Sequence, residues 1–146
     1  NNLNKNVFLL RDRSILHLDT GQAQKMELVI SGRNVQLYKV DGVWKLKDND
    51  REVPGMGLCL WRLADLKYEQ DPKSQLPPTA VRLVTWAVKD KQDKDLIKVY
   101  FYEDSGLPAG RCWVQLAGQS SYYVVDSSLV NDVKKELDKI DDRIVE

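Results

Sequence analysis

Histidine is nearly absent from this sequence, cysteine occurs only twice, and neither sign of charge is in excess. Each shortage excludes something. A single histidine, His17, leaves no multi-histidine metal centre. Two cysteines, Cys59 and Cys112, make neither a disulfide framework nor a zinc site, which needs clustered ligands; one disulfide and two buried thiols both remain open. Lys+Arg and Asp+Glu both number 22, so no basic excess exists to neutralise nucleic-acid phosphates or an anionic membrane. No apolar run approaches the roughly 18 residues that cross a bilayer as a helix. The chain opens NNLNKN without an initiator Met, which leads us to expect a trimmed or mature product whose signal or anchor has been removed.

What is present is enough for one core. The 146 residues are 42% hydrophobic, which predicts a single domain over 1–146, with room for two related units at about 15–70 and 80–146. The early chain reads as strands: VFLL (Val7 to Leu10), ILHLD (Ile15 to Asp19) and KMELVI (Lys25 to Ile30). VQLYKV then meets Asp41-Gly42 and VWKLK returns, a strong short hairpin signal because both turn residues tolerate positive φ. This places Trp44 and Leu46 on one face of the return strand.

The period then changes. Val53, Met56, Leu60 and Leu63 form a helical stripe with Asn49 or Asp50 as N-cap, and Gly55 and Gly57 predict a firm start near Leu58. Asp71 to Thr79 holds three prolines and no periodicity, so it reads as a loop. VRLVTWAV and LIKVYFYED predict a second hairpin, and WVQLAG and SSYYVVD a third. Ser127 or Ser128 then caps a helix to about Val145, with Val130, Val133, Leu137, Ile140 and Ile144 on its apolar stripe.

Two segments follow one plan. VQLYKVDGVWKL and VQLAGQSSYYVV align at an offset of 79 residues, with Tyr123 opposite Trp44 and Val125 opposite Leu46. After a two-residue shortening, Val53, Met56, Leu60 and Leu63 fall opposite Val130, Val133, Leu137 and Ile140. The expectation is an α+β fold of antiparallel hairpins and two amphipathic helices, built as two related hairpin-helix units sharing a core. The phrases DGVWKLKD, LWRLADLKYE and SSYYVVDSSLVNDVKKELDKIDDRIVE resemble the uncharacterised bacterial domain family DUF4340. The likeness runs from about Ile15 to Glu146 and departs at QLPPTAVRLVTW. It implies an extracytoplasmic module, periplasmic or of the cell envelope, held by a membrane anchor outside this chain and associated with transporter components. It carries over no catalytic residue.

The chemistry-bearing residues are few. His17 could pair with Cys112 or Asp19 as base and nucleophile, but a strand histidine between apolar neighbours is the plainer reading. DKQDKD has lysines where a calcium loop wants oxygen ligands, and Asp141-Asp142 reads as the solvated end of a helix. SGLPAG lacks the spacing of a phosphate loop. No catalytic residue, cofactor or metal is therefore expected.

Aromatic residues are more plentiful. Most of the rings are expected to fill the core, Trp44 as an anchor. Tyr122-Tyr123 must point to opposite faces of a strand, so one of the pair reaches a second face. Tyr102, Trp113 and Tyr122 are the candidate interaction surface. The sequence thus predicts a non-enzymatic module that binds a protein or envelope component through an aromatic sheet face or a strand edge. The alternative is a carbohydrate-binding module or hydrolase, which would show a cleft with two carboxylates flanked by Trp.

Overall fold

The structure is a computed structural model and describes residues 13–145, with side chains described as far as Lys139. VFLL, the side chains of Ile140 and Ile144, and the Asp141-Asp142 side chains lie outside the described part. Among the described residues seven strands form one antiparallel sheet: β1 (Lys25–Ile30), β2 (Arg33–Val40), β3 (Val43–Leu46), β4 (Val81–Lys89), β5 (Asp95–Glu103), β6 (Arg111–Leu116) and β7 (Tyr123–Asp126). Two helices accompany them, α1 (Met56–Ala64) after β3 and α2 (Ser128–Val145) after β7. The order across the sheet is β3-β2-β1-β4-β5-β6-β7, so the long-range pairing of β1 with β4 joins two meanders. The sheet runs unbroken across the boundary near residues 70–80.

Local chemistry explains most of the elements. Asp41 (φ 51°) and Gly42 (φ 79°) make the two-positive-φ turn that matches strand twist, and β2 and β3 pair from Val40↔Val43 to Leu37↔Leu46. Ser31 (φ 52°) and Gly32 (φ 76°) repeat it between β1 and β2, a turn not picked out in the sequence. In the longer β4–β5 connection the Asp90 carboxylate accepts the Gln92 and Lys94 N–H groups, both at 2.9 Å. At α2 the Asp126 carboxylate accepts the Ser128 N–H at 2.7 Å, and the Asn131 N–H reaches the Ser127 carbonyl.

Three expectations need correction. ILHLD is not a strand: only Ser14 makes an isolated bridge, to Lys67, and Asp19 caps a short 3-10 turn at Thr20–Gln22. Ile15 and Leu16 are both buried there and His17 is exposed, because the segment packs against the helical layer instead of joining the sheet. Asn49 and Asp50 do not cap α1; they form the turn after β3, where Asp50 adopts φ 59°. The helix begins at Met56, two residues before the expected start, with Gly55 as a cap that makes no side-chain bond. A Cβ on Gly55 would collide with the carboxyl group of Glu136 in α2. That carboxylate therefore sits over the start of α1, where the helix dipole favours an anion.

One face of the sheet is fully packed. Met26, Leu28, Leu37, Trp44, Trp86, Val99, Phe101, Val114 and Val125 form a single cluster with Met56, Cys59, Leu60 and Leu63 of α1 and Leu129, Val130, Val133 and Leu137 of α2. Trp86 is 1% exposed and donates its indole N–H to the Met26 thioether at 3.2 Å. Trp44 is 3% exposed and lies against the start of α1 at Gly57. Arg62 bonds Asp132 and the Ser128 hydroxyl, tying the helices together.

The α+β architecture matches expectation; the duplicated geometry does not. β1-β2-β3 step outward to one edge and β5-β6-β7 to the other, with matching strand directions and both helices on the same face. No rotation superposes such an arrangement, because the two are mirror-related. The registers differ too: Leu37 pairs with Leu46, but their counterparts Leu116 and Val125 do not pair, since Val125 faces Cys112. A two-residue turn sets the first register and a six-residue connection sets the second.

Candidate functional site

Among the described residues no helix lies over the other sheet face. Its cross-strand rows follow from the register. One row runs Asn34–Val29–Thr85–Tyr100–Gln115, flanked by Gln36–Glu27–Ala87–Lys98 on one side and Arg82–Tyr102–Trp113–Val124 on the other. Arg82 reaches this face through the bulge between Arg82 and Val84. Its guanidinium lies 4.2 Å from the Tyr100 ring centre and donates to the Tyr102 hydroxyl at 3.3 Å. Lys98 holds its ammonium 6.0 Å from the same Tyr100 ring. The Tyr102 hydroxyl donates to Gln115 at 3.1 Å. Val29, 45% exposed, continues the row toward β2.

At the β1–β2–β4 end this face dips into a cleft of about 500 Å³ lined by Lys25, Glu27, Tyr38, Lys47, Asp50, Lys89 and Asp93 among others. Its carboxylates all have donors: Lys25 meets Asp93 at 3.0 Å, Lys89 meets Glu27 at 3.4 Å, and Tyr38 donates its hydroxyl to Asp50. The bond to Asp50 raises the Tyr38 pKa. None of the four tryptophans lines this cleft. Trp44, Trp86 and Trp113 are buried, and Trp61 is 58% exposed beside Leu58 on the outer side of α1.

The opposite end carries the predicted interaction residues. Tyr102 and Trp113 are cross-strand neighbours, and the Tyr102 and Tyr122 rings meet edge-on at 6.4 Å. The three are thus brought together, and Tyr122 and Tyr123 face opposite sides as expected, Tyr123 stacking on Tyr68 at 5.3 Å. They are not open to solvent as a platform. Tyr102 keeps 8% and Trp113 6% of its surface, because Leu76, Ala80 and Leu107 pack over them in a second, smaller cluster.

Leu107 belongs to the turn between β5 and β6, and Leu76 and Ala80 to the proline-rich loop and its end. The chain leaves the helical face at Tyr68, passes the β7 edge, and crosses the far face to reach β4. The Glu69 N–H reaches the Val124 carbonyl at 3.0 Å, and Lys73 and Tyr122 exchange two main-chain bonds of 2.8 Å. The Asp104 carboxylate then ties the layers together. It accepts the Thr79 hydroxyl at 2.6 Å, the Gly106 N–H at 3.1 Å and the Trp113 indole N–H at 3.2 Å. These donors, Thr79 foremost, hold the Asp104 carboxyl below the usual carboxylate range. Arg111 adds ion pairs to Glu69 and Asp126.

Both outer edges of the sheet are occupied. β3 is bonded by its own continuation, Leu46 N–H to Arg51 and Val53 N–H to Trp44, and β7 by the loop just described. The expected open strand edge is therefore absent among the described residues.

Nucleophile and base do not meet. His17 is exposed beside Asp19, whereas Cys112 lies buried in β6. Burial pushes the Cys59 thiol up to about 11 and the Cys112 thiol up to about 12, so neither is a ready thiolate. Both are free thiols, which resolves the open disulfide question. Among the described residues no group of three His, Cys, Asp or Glu side chains could hold a metal ion, and no helix is long and apolar enough to cross a membrane. In comparisons with protein-family models, curated proteins and solved structures, nothing matches this chain.

Proposed function

We propose that this chain is a non-enzymatic binding module that recognises a protein or envelope component through the helix-free face of its sheet. The observation that carries the reading is the one-sidedness of the sheet: both helices serve one face, while Tyr100, between the Arg82 and Lys98 cations, stands on the other. A ring that is half-buried on a rigid strand and flanked by cations offers area and directional bonds at little entropic cost. DUF4340-like membership, an extracytoplasmic setting beside a transporter, and an anchor outside this chain belong to the same proposal and rest on the sequence resemblance. Kinship of the two hairpin-helix segments is part of it only as a shared element order.

Photo-crosslinking in the native host tests the reading. A crosslinker at Asn34 or Thr85 should yield a protein adduct, and one at Lys134, on the exposed side of α2, should not. Adducts from Lys134 alone would overturn it.

A further inference from the structure

The two sheet edges are closed by very different means. At β3 the covering residues follow the strand directly and end at Val53, 1% exposed in the main core, so that edge opens only if the core does. At β7 the cover is residues 69–79, of which 69–75 are all exposed. It is also a poor strand. Were the ladder regular, the residue two before Lys73 would pair with Val124; instead Glu69 takes the Val124 carbonyl and the chain between bulges away. Pro72 sits in that bulge, where it has no N–H to give. The Val124 N–H points outward with its carbonyl, and no backbone carbonyl of the described residues meets it.

Beneath the same loop lie Tyr102, Trp113 and Tyr122, with Leu76 seated among them. An imperfect strand thus lies on an edge, and its one large apolar side chain fills an aromatic pocket. That is the pattern of an extended peptide added to a sheet, with main-chain bonds for affinity and a pocket for specificity.

We infer that residues 69–79 are a strap held over a peptide-binding edge, and that an extended segment of a partner protein replaces it. The incoming segment pairs with Tyr122 and Val124 along β7 and seats a branched apolar side chain where Leu76 sits. It supplies the bond to the Val124 N–H that the strap leaves unmade, which favours exchange. The Thr79–Asp104 and Glu69–Arg111 contacts set how readily the strap lets go. This rests on the binding-module reading and places a second contact on the same sheet face, at its β7 end.

The probe is a synthetic peptide of residues 69–79 carrying Pro72→Thr, titrated into the full chain and followed by amide and indole NMR shifts. Shifts are expected at Tyr122, Val124 and the Trp113 indole, with roughly tenfold tighter binding to Asp104→Asn, in which the strap opens more often. A chain carrying Lys73→Cys and Tyr122→Cys is the control, because these cross-strand partners can form a disulfide that locks the strap. The oxidised form should lose binding relative to the same chain reduced, the reference in which the Tyr122 ring is likewise missing from the pocket. Undiminished binding in the locked form, or no binding to Asp104→Asn, would overturn the inference. Shifts confined to Thr85 and Tyr100 would also overturn it, while leaving the open-face reading standing. Loss of the Asn34 and Thr85 crosslinks with peptide binding intact would have the reverse meaning.

Discussion

The two hydrophobic clusters of this protein use similar residues under different cover. The main cluster is sealed by two helices whose own apolar stripes face it, so its Trp86, Phe101 and Trp44 are anchored from both sides. The second, around Tyr102, Trp113 and Val124, is sealed by loop residues Leu76, Ala80 and Leu107 and by one carboxylate hub. Local stability follows the number of buried apolar contacts, and a loop with exposed backbone contributes few. The lesson is that burial of a side chain does not measure permanence of its cover. Trp113 at 6% and Trp44 at 3% look alike by exposure, yet an irregular segment covers the first while α1 packs on the second.

Substitutions can break the comparison, beginning with the largest effect. Trp44→Ala should cost about 3 kcal/mol or more, read as a lowered urea midpoint, because a large buried ring leaves a cavity the helices cannot close. Near-wild-type melting would remove Trp44 from its role as anchor. Leu76→Ala should cost only about 1 kcal/mol globally, since Leu76 is half-buried. A loss as large as that of Trp44→Ala would make the two clusters one unit.

Acid should separate them without mutation. Folding lowers the Asp104 pKa, so its bonds contribute fully above the ordinary carboxylate value of about 4. They are lost as pH falls through the depressed folded value. The Trp113 indole N–H should therefore lose its exchange protection below about pH 4, before the Trp86 indole does, and the difference should shrink in Asp104→Asn. Simultaneous loss of both signals would argue against a separate latch. The smallest effect is expected at His17, exposed and outside both clusters: His17→Ala should shift stability by less than about 0.5 kcal/mol and leave partner adducts intact. A folded variant that loses them would put His17 in the binding site.

Local patterns proved legible wherever a neighbour along the chain decides the conformation. KMELVI became β1 residue for residue, Asp41-Gly42 formed the expected turn, and Val130, Val133 and Leu137 face the core along α2. The period-2 argument also placed Tyr122 and Tyr123 on opposite faces. Patterns said less where a distant segment decides. Ile15 and Leu16 alternate like a strand, but no strand among the described residues lies beside them to pair with, and both turn inward. Alternation grouped Tyr102, Trp113 and Tyr122, while much of their cover, Leu76 and Ala80, comes from more than twenty residues before Tyr102. The VQL phrase aligned apolar positions correctly by face, yet turn length set different registers and the topology came out mirrored. The β7 strap had only its three prolines as a signal, and those said loop without saying what the loop lies upon.

Native-state amide exchange across a series of low urea concentrations tests the separate opening of the second cluster most directly. The Tyr122 amide, bonded only to the strap residue Lys73, should exchange at least about 100-fold faster than the Phe101 amide, with a rate nearly independent of urea. Tyr122 and Phe101 exchanging at one rate, with the same steep urea dependence, would mean that the strap leaves only when the whole sheet unfolds, and would contradict the account.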